Sequence, residues 1–166
     1  MPAATTTELT HHAEEVLVLV DGAAKAHFRL VWIAGGTASM RTQLLRAVAG
    51  RLGCPYLSVG SGLSSALMEI SPTLRAVSAE DAFSDLLRSE VSETLCLDHL
   101  EILFDEPLRL NAVALIKNAS RRFLLVAAWP GTFLQQSLHY GPTDHPAFTV
   151  IPHPEVECPI YPITRP

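Results

Sequence analysis

Apolar residues alternate along the chain between helical spacing and short continuous runs. In Glu8–Ala26 they recur three and four positions apart, which predicts a helix with threonines before it as caps. Arg29–Ala34 is a short β-branched and aromatic run that stops at two glycines, and it predicts a buried strand. Arg41–Leu52 returns to helical spacing and ends before Gly53, a residue type common at helix C-termini. The chain therefore opens with a helix and then a strand, a glycine turn and a second helix.

The same alternation continues through the middle of the chain. Short apolar runs predict further strands, helically spaced runs predict further helices, and Phe148–Ile151 is a candidate last strand at the sheet edge. The other predicted strands are Tyr56–Val59, Thr94–Asp98 and Arg122–Trp129, and the other predicted helices are Leu63–Ile70, Ala79–Ser89 and Pro107–Ala119. Strands that alternate with helices predict a three-layer α/β fold around a mostly parallel, five-stranded sheet.

The end of the chain has a different composition. Residues 152–166 contain five prolines, which predicts an extended tail that docks on the domain or on a partner. With 166 residues, 48% of them apolar, the chain has material for one core and is too short for two full domains. We therefore expect one domain over residues 1–151 and a proline-rich C-terminal tail over residues 152–166.

Charge and composition narrow the function classes. The net charge is −5 and the twelve basic residues are scattered, so direct sequence-specific binding of nucleic acid is not expected. No apolar run approaches the roughly 20 residues that cross a bilayer, and the N-terminus does not resemble a signal peptide. Cys54, Cys96 and Cys158 have unrelated spacings and predict reduced thiols in a cytoplasmic protein that does not contact membranes.

The glycine turn between the first predicted strand and its helix fits the frame of a phosphate-binding loop. That loop has the pattern G-x-x-x-x-G-K-[ST], and here the segment Gly35–Thr42 reads G-G-T-A-S-M-R-T. Met40 replaces the second glycine and Arg41 replaces the lysine. If ATP binds, the phosphates are expected to contact Gly35, Gly36, Ser39, Met40, Arg41 and Thr42. An ordinary strand-to-helix turn is the alternative interpretation of these eight residues.

An acidic residue downstream favours the nucleotide interpretation. The apolar run Thr94–Asp98 ends abruptly in a carboxylate, as central parallel strands do when they deliver an acid to the sheet edge. Asp98, together with the Thr42 hydroxyl and water, is expected to hold Mg²⁺. Glu101 or His99 is the candidate for positioning an attacking water. A strand-end acid that caps a neighbouring loop remains the alternative for Asp98.

These segments together resemble BrxF, the small P-loop protein of type 3 BREX bacteriophage-defence systems. The likeness runs over roughly residues 14–152, and the pair A-A-W-P-G and L-x-Y-x-x-x-x-H-P is more specific than the glycine turn. The matching segments are Gly35–Thr42, Tyr56–Gly60 with Leu63, Leu97–Asp105, Val126–Gly131, Leu138–Tyr140 and Asp144–Pro146.

The resemblance implies an AAA-like P-loop NTPase core without a lid domain, with ATP and Mg²⁺ as cofactors and other BREX proteins as partners. Met40 and Arg41 depart from the G-S-G-K-T loop expected in the family, which predicts weak ATP hydrolysis or none. We therefore expect an ATP-type nucleotide-binding accessory subunit of a BREX complex, with homo-oligomerisation left open. The alternatives are a catalytically dead pseudo-ATPase that serves as a scaffold for protein assembly, and a small P-loop kinase.

Overall fold

A computed structural model describes residues 5–164, in which helices and strands alternate along most of the chain. The helices are α1 (Thr6–Ala23), α2 (Ala38–Leu52), α3 (Val59–Met68), α4 (Arg75–Arg88), α5 (Ala112–Ala119) and α6 (His153–Val156), with short 3₁₀ turns at Pro72–Leu74, Leu100–Phe104 and Glu106–Leu108. The strands are β1 (Leu30–Gly35), β2 (Tyr56–Ser58), β3 (Thr94–Asp98), β4 (Leu124–Ala128), β5 (Thr132–Leu134), β6 (Ser137–Tyr140), β7 (Thr149–Pro152) and β8 (Ile160–Ile163). No helix within these residues is long and apolar enough to cross a bilayer.

Five strands form the main sheet in the order β2-β3-β4-β1-β8, and every neighbouring pair is parallel. The predicted α/β class and the mostly parallel five-stranded sheet are therefore confirmed. The fifth strand is β8 rather than the segment Phe148–Ile151. That segment instead overlaps β7, which belongs to a separate antiparallel sheet in the order β5-β6-β7.

The main sheet is the middle of three layers because side chains alternate between its two faces along each strand. In β1, Leu30 and Trp32 join one buried cluster, which also holds side chains of α3, α4 and α5. Val31 and Ile33 join a second cluster, which holds side chains of α1 and α2. Both faces of the central strand are covered, as its continuous apolar run predicts.

Capping side chains set the starts of α2 and α3, which differ from the predicted starts. The Thr37 hydroxyl caps α2, so this helix begins at Ala38, three residues before the predicted start. Ser58 caps α3, which therefore includes Gly60 and Gly62 and begins four residues before the predicted helix Leu63–Ile70. At Gly62 a Cβ would lie 2.7 Å from a Leu86 methyl, so the missing side chain lets α3 and α4 pack closely. The helix predicted over Pro107–Ala119 is shorter in the structure: α5 begins at Ala112, after the Asn111 cap.

The segment predicted as a proline-rich tail contributes to the domain. Its residues up to 164 form α6 and β8, and β8 pairs with β1 from Ile160 to Ile163. Proline is tolerated in β8 because this strand lies at the sheet edge. Tyr161 also ties the strand to α1, since its hydroxyl donates to Glu15 and lies 2.6 Å from His12 Nδ1. Residues 1–4 of the predicted domain and 165–166 of the predicted tail lie outside the described chain.

Candidate functional site

The predicted site residues converge at the carboxyl edge of the main sheet. β1 leads into the glycine turn and α2, β3 ends in Asp98, and β4 lies between these two strands. In open α/β sheets, ligands bind in the crevice outside the carboxyl ends of the strands. Ala128, which ends β4, and the following Trp129 and Pro130 line this crevice together with Arg41, Thr42 and Asp98.

The glycine turn is shorter than a loop that wraps phosphates. Gly35 and Gly36 have φ values of 80° and 61°, in the left-handed region that favours glycine. Immediately afterwards the Thr37 hydroxyl accepts a hydrogen bond from the Met40 N–H at 3.1 Å. Threonine is a good N-cap and Met40 lacks the conformational freedom of glycine, so the helix starts at once. Ser39, Met40, Arg41 and Thr42 therefore lie in the first turns of α2.

The end of β8 packs against this turn. A Cβ on Gly35 would lie 3.0 Å from the Ile163 carbonyl oxygen, and one on Gly36 would lie 3.1 Å from Ile163 Cγ2. The Met40 sulfur would lie 3.4 Å from that same Cβ on Gly36. Main chain and apolar side chains therefore close one side of the turn.

Arg41 is turned back onto the glycine turn. The residue is only 7% exposed, and its Nη1 donates to the carbonyl oxygens of Gly35 at 3.0 Å and Gly36 at 3.3 Å. Burial lowers the pKa of the guanidinium, whereas the carboxylates of Glu101 and Asp98 raise it. Because arginine keeps its proton in proteins, the turn holds a fixed positive charge of its own.

Asp98 is the centre of a buried hydrogen-bond cluster. It is 5% exposed, and its Oδ2 accepts hydrogen bonds from Thr42 Oγ1 and from the Tyr56 hydroxyl, both at 2.6 Å. Its Oδ1 accepts from the His99 N–H at 2.8 Å. Both carboxylate oxygens therefore have partners within the protein.

Tyr56 belongs to the site but was not among the residues predicted from the sequence. Burial, followed by the hydrogen bond to Asp98, raises the pKa of its phenol to about 12. The Arg46 guanidinium stacks 4.0 Å from the centre of its ring. The pairing of β2 with β3 places Tyr56 opposite Cys96, two residues before Asp98 and on the same face. A polar residue at the start of the neighbouring strand was the available signal, but its use required knowledge of the strand order.

Glu101 and Ser39 have different positions relative to the crevice. His99 has φ 54°, and this left-handed bend turns the chain after β3 so that Glu101 lines the crevice. The structure thus brings Arg41, Thr42, Asp98 and Glu101 together. Ser39 does not line the crevice; it is exposed, and its hydroxyl accepts a hydrogen bond from the Gln43 amide at 3.3 Å.

The space between these groups tests the fit of ATP and Mg²⁺. The hydroxyl of Thr42 and the carboxylate of Asp98 are hard oxygen donors of the kind that Mg²⁺ accepts together with water. The cavity, however, measures about 10 Å³, room for a single water, whereas pockets for small ligands hold roughly 300–1,000 Å³. This cavity leaves no room for a phosphate chain while the Arg41 guanidinium keeps its hydrogen bonds to the carbonyl oxygens of Gly35 and Gly36. Within residues 5–164, no three His, Cys, Asp or Glu side chains are grouped to hold a metal by themselves.

Comparisons of the chain with protein-family models, with curated proteins and with solved structures find no match.

Proposed function

We propose that this protein is a P-loop-type accessory subunit of a BREX bacteriophage-defence complex, with a degenerate phosphate loop, that acts by protein assembly rather than by ATP hydrolysis. The BREX assignment rests on the resemblance of residues 14–152 to BrxF. The pseudo-ATPase character rests on one observation, the hydrogen bonds of the buried Arg41 guanidinium to the carbonyls of Gly35 and Gly36.

The position of Arg41 supports this proposal. Its guanidinium places a positive charge inside the glycine turn and occupies the space that a bound phosphate chain would need. A phosphate chain entering the turn would have to displace the guanidinium from two hydrogen bonds and separate it from the carboxylates of Asp98 and Glu101. The lysine of a standard phosphate-binding loop carries a compact charge on a flexible side chain. Arginine carries a planar, rigid guanidinium, so Arg41 is not an equivalent replacement for that lysine. Met40 in place of glycine keeps α2 intact through the turn.

A second candidate function is the binding of ATP with Mg²⁺, and one observation favours it. The hydroxyl of Thr42 and the carboxylate of Asp98, 56 residues apart in sequence, are joined by a 2.6 Å hydrogen bond at the carboxyl edge of the sheet. Two N–H groups at the start of α2, those of Ala38 and Ser39, have no acceptor within the helix, and the helix dipole favours an anion there. This candidate requires Arg41 to swing out of the turn.

Calorimetric titration with ATP and Mg²⁺ separates the two candidates. We expect no binding by the native protein at millimolar ATP, and we expect the double substitution Met40→Gly with Arg41→Lys to create binding, because it removes the fork and frees the turn. Arg51→Lys, on the same helix but 48% exposed, is the matched control and should not bind. Binding by the native protein that disappears in Arg41→Ala and in Asp98→Ala would instead establish a working nucleotide site.

The defence role has its own test in a host that carries the complete system. Deletion of this chain should raise the plating efficiency of a sensitive phage, and the native gene supplied in trans should lower it again. If folded Arg41→Ala and Asp98→Ala variants restore protection against the phage, the protein acts through assembly and does not need to hydrolyse ATP. Unchanged phage plating after deletion would contradict the BREX assignment.

A further inference from the structure

Two of the three cysteines meet on one side of the main sheet. Cys54 Sγ and Cys96 Sγ are 3.7 Å apart, although 42 positions separate the residues in the chain. Cys54 lies in the turn between α2 and β2 and is half-buried, while Cys96 lies in β3 and is fully buried. The third cysteine, Cys158, packs in the core on the opposite face of the sheet. Only Cys54 and Cys96 are therefore placed to react with each other.

We propose that Cys54 and Cys96 form a reversible disulfide, and that Cys54 is the site at which a hydroperoxide oxidises this protein. The proposal is independent of whether the crevice at Asp98 binds a nucleotide. It depends on the pairing of one half-buried cysteine with one fully buried cysteine. In such a pair the second thiol can react with the oxidised first thiol to form a disulfide within the same chain.

The environment of Cys54 favours its thiolate, the reactive form. The hydrogen bond from the Cys96 thiol lowers the pKa of Cys54, against the opposing effect of burial. Exposure and thiolate character together determine which cysteines peroxide attacks. Cys158 differs in both respects, since it is 5% exposed and burial raises the pKa of its thiol to about 11.

The reaction balances with hydrogen peroxide, the simplest hydroperoxide, as the only oxidant. The Cys54 thiolate attacks one peroxide oxygen, the O–O bond breaks, and Cys54 becomes a sulfenic acid while the leaving hydroxide takes up a proton as water. Cys96 sulfur then attacks Cys54 sulfur, the S–S bond forms, the S–O bond breaks, and hydroxide leaves as water with the Cys96 proton. Two thiols lose two electrons in total and one peroxide becomes two waters.

The chain around Cys54 allows the movement that the bond needs. The sulfurs must close from 3.7 Å to about 2.05 Å. Cys54 follows the left-handed Gly53 and precedes β2, so it belongs to a turn and not to a paired strand. Cys96 is fixed in the sheet between β2 and β4, and the turn is therefore the part that moves.

Mass spectrometry of the full chain after mild peroxide treatment tests the proposal directly. We expect a loss of about 2 Da, the mass of two hydrogens, and a fall from three titratable thiols to one in denaturant. The tryptic peptides 52–75, 89–109 and 123–166 carry one cysteine each. The oxidised protein should yield 52–75 linked to 89–109, and a thiol reductant should release both peptides.

Cysteine variants provide the controls. Cys158→Ser should form the same link, since Cys158 lies on the other face of the sheet, and Cys54→Ser should form none. Linkage of 52–75 to 123–166, intermolecular dimers through Cys54, or Cys54 that proceeds to sulfinic acid without a link would each overturn the proposal. The peptide map of the native chain decides the matter even if a core variant fails to fold.

Discussion

Asp98 shows how a residue predicted from its position in the sequence acquires partners that the sequence does not reveal. The abrupt end of an apolar strand predicted that its carboxylate would reach the sheet edge, and in the structure the Asp98 carboxylate lies 2.6 Å from the Thr42 hydroxyl. Tyr56 and the inward turn of Arg41 were not predictable, because both depend on which strands and loops become neighbours. The local sequence was therefore enough to predict which residue carries the carboxylate. The contacts that form the crevice could not be predicted, because they join residues that are distant in the sequence.

Removal of the Asp98 carboxylate should destabilise the fold. Asp98→Ala leaves the hydroxyls of Thr42 and Tyr56 without their shared acceptor in a buried position, and we expect a loss of about 2–3 kcal/mol in the free energy of unfolding. Urea denaturation followed by circular dichroism measures this loss. Glu101→Ala is the control, since Glu101 is exposed and its removal should change stability by less than about 0.5 kcal/mol. Equal effects of both substitutions would count against the cluster.

Tyr56 should make the fold sensitive to alkaline pH. Its pKa is about 12 in the folded chain against about 10 in an unfolded one, so the native state holds the phenol proton more tightly. The resulting stabilisation is complete below pH 10 and is lost as the pH rises from 10 to 12. Urea unfolding across this window should show stability falling more steeply in the native protein than in Tyr56→Phe. Parallel pH profiles would show that Tyr56 is not responsible.

At the scale of secondary-structure elements, the sequence predicted whether a segment is a helix or a strand better than it predicted where the segment begins and ends. The strand Thr94–Asp98 matched its prediction residue for residue because a buried parallel strand is a continuous apolar run with clear ends. Helix α2 began earlier than predicted because a threonine cap outweighed the expected loop. β5 and β6 were missed because neither is a continuous buried run: most of their residues are exposed or half-buried in the small antiparallel sheet.

Two glycine-to-alanine substitutions in different parts of the fold should change the stability of the protein in opposite directions. At Gly131, between β4 and β5, a Cβ would lie 1.8 Å from the His139 carbonyl oxygen, so Gly131→Ala must displace the hairpin and should cost about 1–3 kcal/mol. At Gly50, exposed on α2, an added Cβ would meet no neighbouring group of residues 5–164 within 4 Å, so alanine should raise the free energy of unfolding by about 0.5–1 kcal/mol through helix propensity. Thermal and urea unfolding of both variants measure the difference. A neutral Gly131→Ala would contradict the close packing of the hairpin.

At the scale of the whole molecule, one edge strand of the main sheet, β8, comes from the proline-rich segment that was predicted to be a tail. Local proline content predicted an extended conformation, and β8 is extended, but its place beside β1 depends on contacts more than a hundred residues away. The contact of Tyr161 with Glu15 and His12 is one of these. Such pairings carry no local signal, and this explains why the sequence misplaced the fifth strand.

The Tyr161 hydroxyl should stabilise the junction between the two ends of the described chain. Tyr161→Phe removes its hydrogen bonds to Glu15 and His12 while keeping the ring, and we expect a loss of about 1 kcal/mol. His11→Gln is the control, since His11 pairs with Glu15 at 3.6 Å in an exposed position where such pairs contribute little. Equal unfolding midpoints for the native protein and Tyr161→Phe would rule out a contribution from this contact.

The two outer strands of the main sheet also bear on aggregation. β2 has only three residues, and β8 carries Pro162, which offers no N–H to an incoming strand. Short edges and edge prolines are means by which proteins discourage the addition of a foreign strand. Colloidal stability during expression should therefore depend little on the main sheet and more on the exposed Leu134 and Val150 of the small antiparallel sheet.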